Sequence, residues 1–223
     1  MDPRPERRAL TRNPAEPILA PCECIQMTRT SFSSPDPVAP ESRGSRRVST
    51  DLRILCPDTP VHAVSSAGAG RWNRNLYRRF QALRDAAGTR RSHYFQGRFE
   101  NVYPDRAAIP EVEPVLDWAT RFACQICCEP ALRCGFWFNE MARGQGTGLH
   151  THDGDDETLS AVYYVTVPEG SGALLLHTRG GAMRVAPQPG LLVFFPPDVP
   201  HEVEPHTGRG VRLSLAMNFG PAP

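Results

Sequence analysis

Hydrophobic residues along this chain follow two patterns, and the pattern changes near Leu132. Upstream, two stretches carry helical spacing. Arg71 to Ala87 places Leu76, Phe80 and Leu83 on one face and ends at Gly88. Pro110 opens a second helix with Val112, Val115, Leu116, Ala119, Phe122 and Ala123 as its apolar face, and it stops near Glu129-Pro130. Ile54 to Val64 reads as a short opening strand, while Arg90 to Tyr103 is mixed and aromatic. Downstream, short apolar or alternating runs are separated by Gly, Pro and Asp. They are 134–142, 148–152, 159–167, 173–177, 182–185, 191–195, 201–204 and 211–219. Runs of that length and spacing predict an all-β barrel or sandwich, with the two helices packed outside it.

Residues 1–50 break both patterns. They are rich in Pro, Arg and Ser and poor in large apolar side chains. Such a segment buries too little surface to offset its chain entropy, so it is expected to be a disordered tail. Asp2, Glu6, Glu16 and Glu23 argue against a transit peptide. Met27 is an alternative start, because no structural signal precedes it. The domain is therefore expected over 51–223, with a helical part at 71–130 and a barrel core at 132–220.

Composition narrows the function classes. Of 223 residues, 40% are hydrophobic and 22% charged, and the formal net charge is +1. This balance gives no argument for a nucleic-acid or membrane partner. No apolar run is long enough to cross a bilayer. The expectation is a soluble, cytoplasmic protein, and the composition leaves a homodimer open. The seven cysteines are read as reduced thiols. Cys124, Cys127, Cys128 and Cys134 lack the two separated pairs of a zinc site, and Cys124–Cys128 falls in a helical pattern where cysteine packs as a small apolar residue.

The chemistry concentrates in Gly144 to Glu157. His150 and His152 lie two residues apart behind a glycine-rich turn, with Asp153, Asp155, Asp156 and Glu157 following. On an extended segment both imidazoles point to one face, which suits a divalent transition metal. His201 follows a hydrophobic strand and a Pro-Asp turn, a corner from which a closed barrel can return a third ligand. Arg212 and Ser214 share one face of the last strand, while Val211, Leu213 and Leu215 make the other face apolar. A buried arginine needs an anionic partner, and a carboxylate fits it in bidentate fashion.

Two family resemblances rest on these residues. Gly144, His150-x-His152 and Glu157, with Gly190, Pro196 and His201, are similar to the two cupin motifs; Tyr164, Asp198 and Pro205 depart from them. A closer resemblance covers about residues 54–220. Leu159 to Pro168, Pro187 to Phe195, His201-Glu-Val and Arg212 to Asn218 resemble bacterial 2-oxoglutarate/Fe(II)-dependent oxygenases, which share the double-stranded β-helix core. The resemblance implies a dioxygenase with Fe(II) and 2-oxoglutarate as cofactor and cosubstrate, Arg212 and Ser214 holding the distal carboxylate, and release of succinate and CO2. It leaves the prime substrate, a small molecule or a peptide, unread.

The usual iron set in that family is two histidines and a carboxylate. Here His152 stands where the carboxylate is expected. Three ligand sets follow: His150, His152 and His201 together, which is favoured; Glu157 joining or replacing one of them; or Asp155 supplying the carboxylate. Two other function classes stay open. One is a cupin-type dioxygenase or isomerase without 2-oxoglutarate, and the other is a non-catalytic cupin-like binding module.

Overall fold

A computed structural model describes residues 51–223 apart from 67, 68, 96, 153 and 155. The tail over 1–50, Met27 and the candidate ligand Asp155 therefore lie outside the described residues.

The chain enters through a hairpin, β1 (Arg53–Cys56) and β2 (Val61–Ser65), where one opening strand is expected from the sequence. Helix α1 (Ala69–Leu83) follows, then a second hairpin, β3 (Arg90–Phe95) and β4 (Arg98–Tyr103), in the stretch that reads only as mixed and aromatic. Pro110 opens a single 3-10 turn. Helix α2 (Glu113–Cys127) begins after it, with Pro114 in the first turn, where a missing N–H costs nothing. The helix ends at Cys128, which adopts a left-handed conformation.

The eight strands expected after Leu132 are present: β5 (Leu132–Met141), β6 (Thr147–His150), β7 (Leu159–Thr166), β8 (Leu174–Thr178), β9 (Gly181–Val185), β10 (Leu191–Phe195), β11 (His201–Val203) and β12 (Arg212–Pro221). They divide between two antiparallel sheets. The larger has the order β1-β2-β10-β7-β12-β5-β4-β3, and the smaller β6-β11-β8-β9. The fold is thus mainly β, in a jelly-roll arrangement.

Each face of the large sheet has its own partner. Leu192 and Phe194 of β10, Tyr163 of β7, and Leu213, Leu215 and Met217 of β12 join the core under the helices. There α1 presents Ala69, Asn73, Leu76 and Phe80, at steps of three and four residues. Phe80 stacks on Phe138 of β5 at 4.6 Å, and the Tyr163 hydroxyl donates to Asn73 Oδ1 at 2.7 Å. Gly190 lets α1 approach: it has φ +83°, and a Cβ there would stand 2.5 Å from that of Ala69. On the opposite face Ala63, Val193, Tyr164, Leu174, Leu176 and Phe195 fill one end of the space between the sheets. The other end is a cavity of about 530 Å³.

Candidate metal centre

Residues from both sheets line this cavity. Trp137, Asn139 and Met141 come from β5, Arg212 and Ser214 from β12, His150 from β6 and His201 from β11. The β3–β4 hairpin adds His93, Tyr94, Asn101 and Tyr103 at the mouth.

The three histidines singled out in the sequence meet here. Pairing of β6 with β11 sets His150 opposite His201. His152 lies two residues past His150, just beyond the end of β6, where its backbone N–H donates to Pro197 O at 2.8 Å. Ring centroids are 4.2 Å apart for His150–His201, 5.0 Å for His150–His152 and 5.1 Å for His152–His201. One ring nitrogen from each falls within 4.8 Å of the other two. Backbone carbonyls orient two of the rings. His150 Nδ1 sits 2.8 Å from Gly148 O, and His201 Nδ1 sits 2.9 Å from Val199 O. With Nδ1 as the donor, Nε2 is left as a lone-pair ligand, the arrangement by which proteins fix a metal-binding imidazole.

His201 is 5% exposed. Burial is the main cause that lowers its pKa to about 3, with the neighbouring His150 and His152 adding to the effect and the Val199 carbonyl opposing it. It is therefore neutral and ready to bind a cation at ordinary pH. The two described carboxylates of this stretch lie outside the cluster. Glu157 is described and is not part of the cluster, and Asp156 pairs with Arg133.

At the far end of the cavity lies Arg212, 1% exposed. Nη1 donates to the Met141 sulfur at 2.9 Å, a weak acceptor, and Nε has no partner. The guanidinium lies 5.2 Å from the Tyr164 ring centroid. Among the described residues no carboxylate pairs with it. Tyr164 is fully buried, and its hydroxyl lies near Arg212 without reaching it in good hydrogen-bond geometry. Burial raises its pKa against the opposing pull of Arg212, so the phenol stays a neutral donor. Ser214 lines the cavity two residues along β12 from Arg212, as the strand period requires.

The remaining polar residues have local partners. Asn139 donates to Glu100 O and Asn101 Oδ1, and Ser160 donates to Asn218 Oδ1. His177 pairs with Glu202. His206 is fully buried, with its ring nitrogens at Gly170 O and Gly210 O. Cys124, Cys127 and Cys134 pack against the apolar core. His93 also lines the cavity. It belongs to a hairpin that the mixed pattern of 90–103 does not announce.

The model of the 2OG-Fe(II) oxygenase superfamily matches residues 136–220, from β5 through the last strand. Residues 136–220 form a 2OG-Fe(II) oxygenase domain. That superfamily uses iron(II) and 2-oxoglutarate, and its members are oxidoreductases. Solved structures agree with the oxygenase assignment. A Pseudomonas putida prolyl-4-hydroxylase is 25% identical, with a TM-score of 0.53 over 74% of this chain and 89% of its own. SnoK, an alpha-ketoglutarate-dependent carbocyclase from nogalamycin biosynthesis, is 14% identical, with a TM-score of 0.62 over 74% of this chain and 81% of its own. A Trichoplax adhaerens prolyl hydroxylase, in complex with a hypoxia inducible factor peptide, is 12% identical, with a TM-score of 0.55 over 72% and 83%. The last two likenesses concern the fold. No curated protein matches the chain. None of its helices, among the described residues, is long and apolar enough to cross a membrane.

Proposed function

We propose that this oxygenase hydroxylates a small molecule or a peptide, with residues 51–223 as the working domain. Iron(II) would sit on His150, His152 and His201, whose converging nitrogens and carbonyl-oriented rings suit a divalent metal. The distal carboxylate of 2-oxoglutarate would lie on Arg212, with the Ser214 and Tyr164 hydroxyls beside it. The observation that carries this reading is the Arg212 guanidinium: buried, without a carboxylate of its own, and on the wall of the cavity that holds the histidines. Leaving a buried N–H donor unpaired costs about 1–3 kcal/mol. An incoming carboxylate removes that cost and forms a charge-assisted pair.

The bound iron supplies the oxidising chemistry, by which substrate, 2-oxoglutarate and O2 become hydroxylated substrate, succinate and CO2. The chain's own residues hold the cosubstrate by its far end, fix the metal by three rings, and keep the space between largely apolar. Phe195 packs against His201 at 4.7 Å, and Trp137 against His152 at 5.6 Å. Prolyl hydroxylases and a carbocyclase stand among the structural neighbours, which supports both peptide and small-molecule substrates without choosing between them.

A second reading has one observation in its favour. A three-histidine set with no carboxylate suits a cupin-type metal enzyme that needs no 2-oxoglutarate. Anaerobic titration with iron(II), with and without 2-oxoglutarate, separates the two. The oxygenase reading requires a visible charge-transfer band that appears only with both, and iron-dependent succinate release in air. Iron binding without that band would hand the site to the second reading.

A further inference from the structure

A hydrogen-bond network at the cavity mouth fixes the proton of one imidazole. It starts at a backbone carbonyl, which can only accept. Asn139 Nδ2 donates to Glu100 O at 2.8 Å and to Asn101 Oδ1 at 2.9 Å. With its oxygen committed there, Asn101 donates from Nδ2 to Tyr103 Oη and to His93 Nδ1, each at 3.2 Å. His93 Nδ1 is therefore an acceptor. Ser92 Oγ, 2.8 Å from the same nitrogen, donates to it and in turn accepts from the Tyr103 hydroxyl at 3.1 Å. Since both neighbours donate to Nδ1, the ring proton of His93 lies on Nε2, and neither bond uses it.

The backbone bends to bring that ring to the mouth. Ser92 pairs with Asn101 and Tyr94 with Phe99, and Asn101 and Tyr94 line the cavity. A strand residue between Ser92 and Tyr94 would point to the opposite face. His93 instead has φ 55°, in the left-handed region that few residues other than glycine enter. Its imidazole comes round to Ser92 and Asn101 and lines the cavity. Backbone strain of this kind clusters where a side chain has a ligand to meet. The Tyr103 ring stands 6.3 Å from Trp137, and Trp137 stands 5.6 Å from His152, so the network lies one ring beyond the metal ligands. Exposed Tyr94, Phe95 and Leu149 share the rim. The mouth combines apolar surface with a directed N–H.

We propose that His93 Nε2–H donates to a carbonyl oxygen of the prime substrate, which belongs to the class of uncharged carbonyl compounds with a ring or other apolar group beside the carbonyl. A carbonyl offers lone pairs to the N–H, and an ammonium group offers none. The apolar group covers Tyr94, Phe95 and Leu149 and removes their surface from water. This deepens the hydroxylase reading above and rests on it.

The test uses two neutral probes, benzylacetone and butylbenzene, in which a methylene replaces the ketone. Saturation-transfer NMR gives the Kd of each on the full chain, with 2-oxoglutarate present and zinc(II) as a diamagnetic stand-in for iron(II). His93→Phe should weaken benzylacetone roughly fivefold, the scale of one neutral hydrogen bond, and change butylbenzene less than about twofold. His93→Gln keeps an N–H donor and should recover part of the loss. Equal weakening of both probes, no weakening, or no saturable binding of benzylacetone to the wild type overturns the proposal. If His93→Phe does not fold, His93→Gly carries the test, because glycine takes a positive φ without strain. The loss for benzylacetone must again exceed that for butylbenzene, and an equal loss overturns the proposal. The hydroxylase reading fails separately, when iron(II) and 2-oxoglutarate give the wild-type protein no charge-transfer band.

Discussion

The two ends of the cavity solve opposite problems. At the histidine end, His150 and His201 each already have a backbone carbonyl at Nδ1. The only thing required of a metal is to accept lone pairs that are already aimed. At the arginine end, Arg212 is buried with its Nε donor left over, and Tyr164 adds a hydroxyl. There the fold carries a standing cost that a carboxylate relieves. The difference shows where each ligand's affinity comes from: pre-arranged geometry for the cation, and unsatisfied charge for the anion.

The largest effect should come from breaking the histidine end. His201→Ala removes the most buried ligand and should weaken iron(II) binding by more than about 100-fold, beyond the 10–100-fold typical of losing a supporting group. Anaerobic dialysis with metal analysis would show it, and near-normal iron content would remove His201 from the set. Breaking the other end should leave iron alone. Arg212→Met should raise the apparent Kd for 2-oxoglutarate by roughly 30–5000-fold, the range for cutting one partner from a buried charge pair. Its iron content should not change. Folding stability should stay level or rise in the same variant, since an under-paired guanidinium is replaced by an apolar chain; a large fall in Tm would contradict the orphaned state of Arg212.

Acid sharpens the comparison, because burial holds the His201 imidazole neutral well below the usual histidine range. The folded pKa of His201, about 3, lies below its unfolded value near 6.5. The unfolded chain therefore takes up the proton first. The metal-free protein keeps its full stability above about pH 6.5 and loses it as pH falls towards 3, at up to roughly 1.4 kcal/mol per pH unit. Urea midpoints across that window measure the slope, and His201→Leu should flatten it. The smallest effect is expected of Tyr164→Phe. Losing one neutral donor should weaken 2-oxoglutarate about 5–10-fold, about 1 kcal/mol, with iron binding unchanged. An unaffected 2-oxoglutarate Kd would show that the phenol faces no carboxylate.

Much of the fold and site could be read locally. The eight downstream strands keep their expected places because alternation and Gly/Pro punctuation are local signals. Arg212 and Ser214 share the cavity face because the strand period is two. The β3–β4 hairpin could not be read so, since it extends a sheet whose neighbour, β5, comes about thirty residues later in the chain. Nor could the place of His93, which belongs to it, nor the burial of His206, which depends on the remote carbonyl of Gly170.

By itself, the sequence determined the strand pattern, the two apolar helix faces, and which side chains can serve a metal and a carboxylate, because periodicity and side-chain chemistry need no distant partner. Tertiary structure alone decided that β6 and β11 bring His150 opposite His201. It also set Glu157 apart from the histidine cluster and left Arg212 buried on the cavity wall, with no carboxylate partner among the described residues. Convergence and charge balance are properties of neighbours in space, and sheet pairing across the barrel chooses those neighbours.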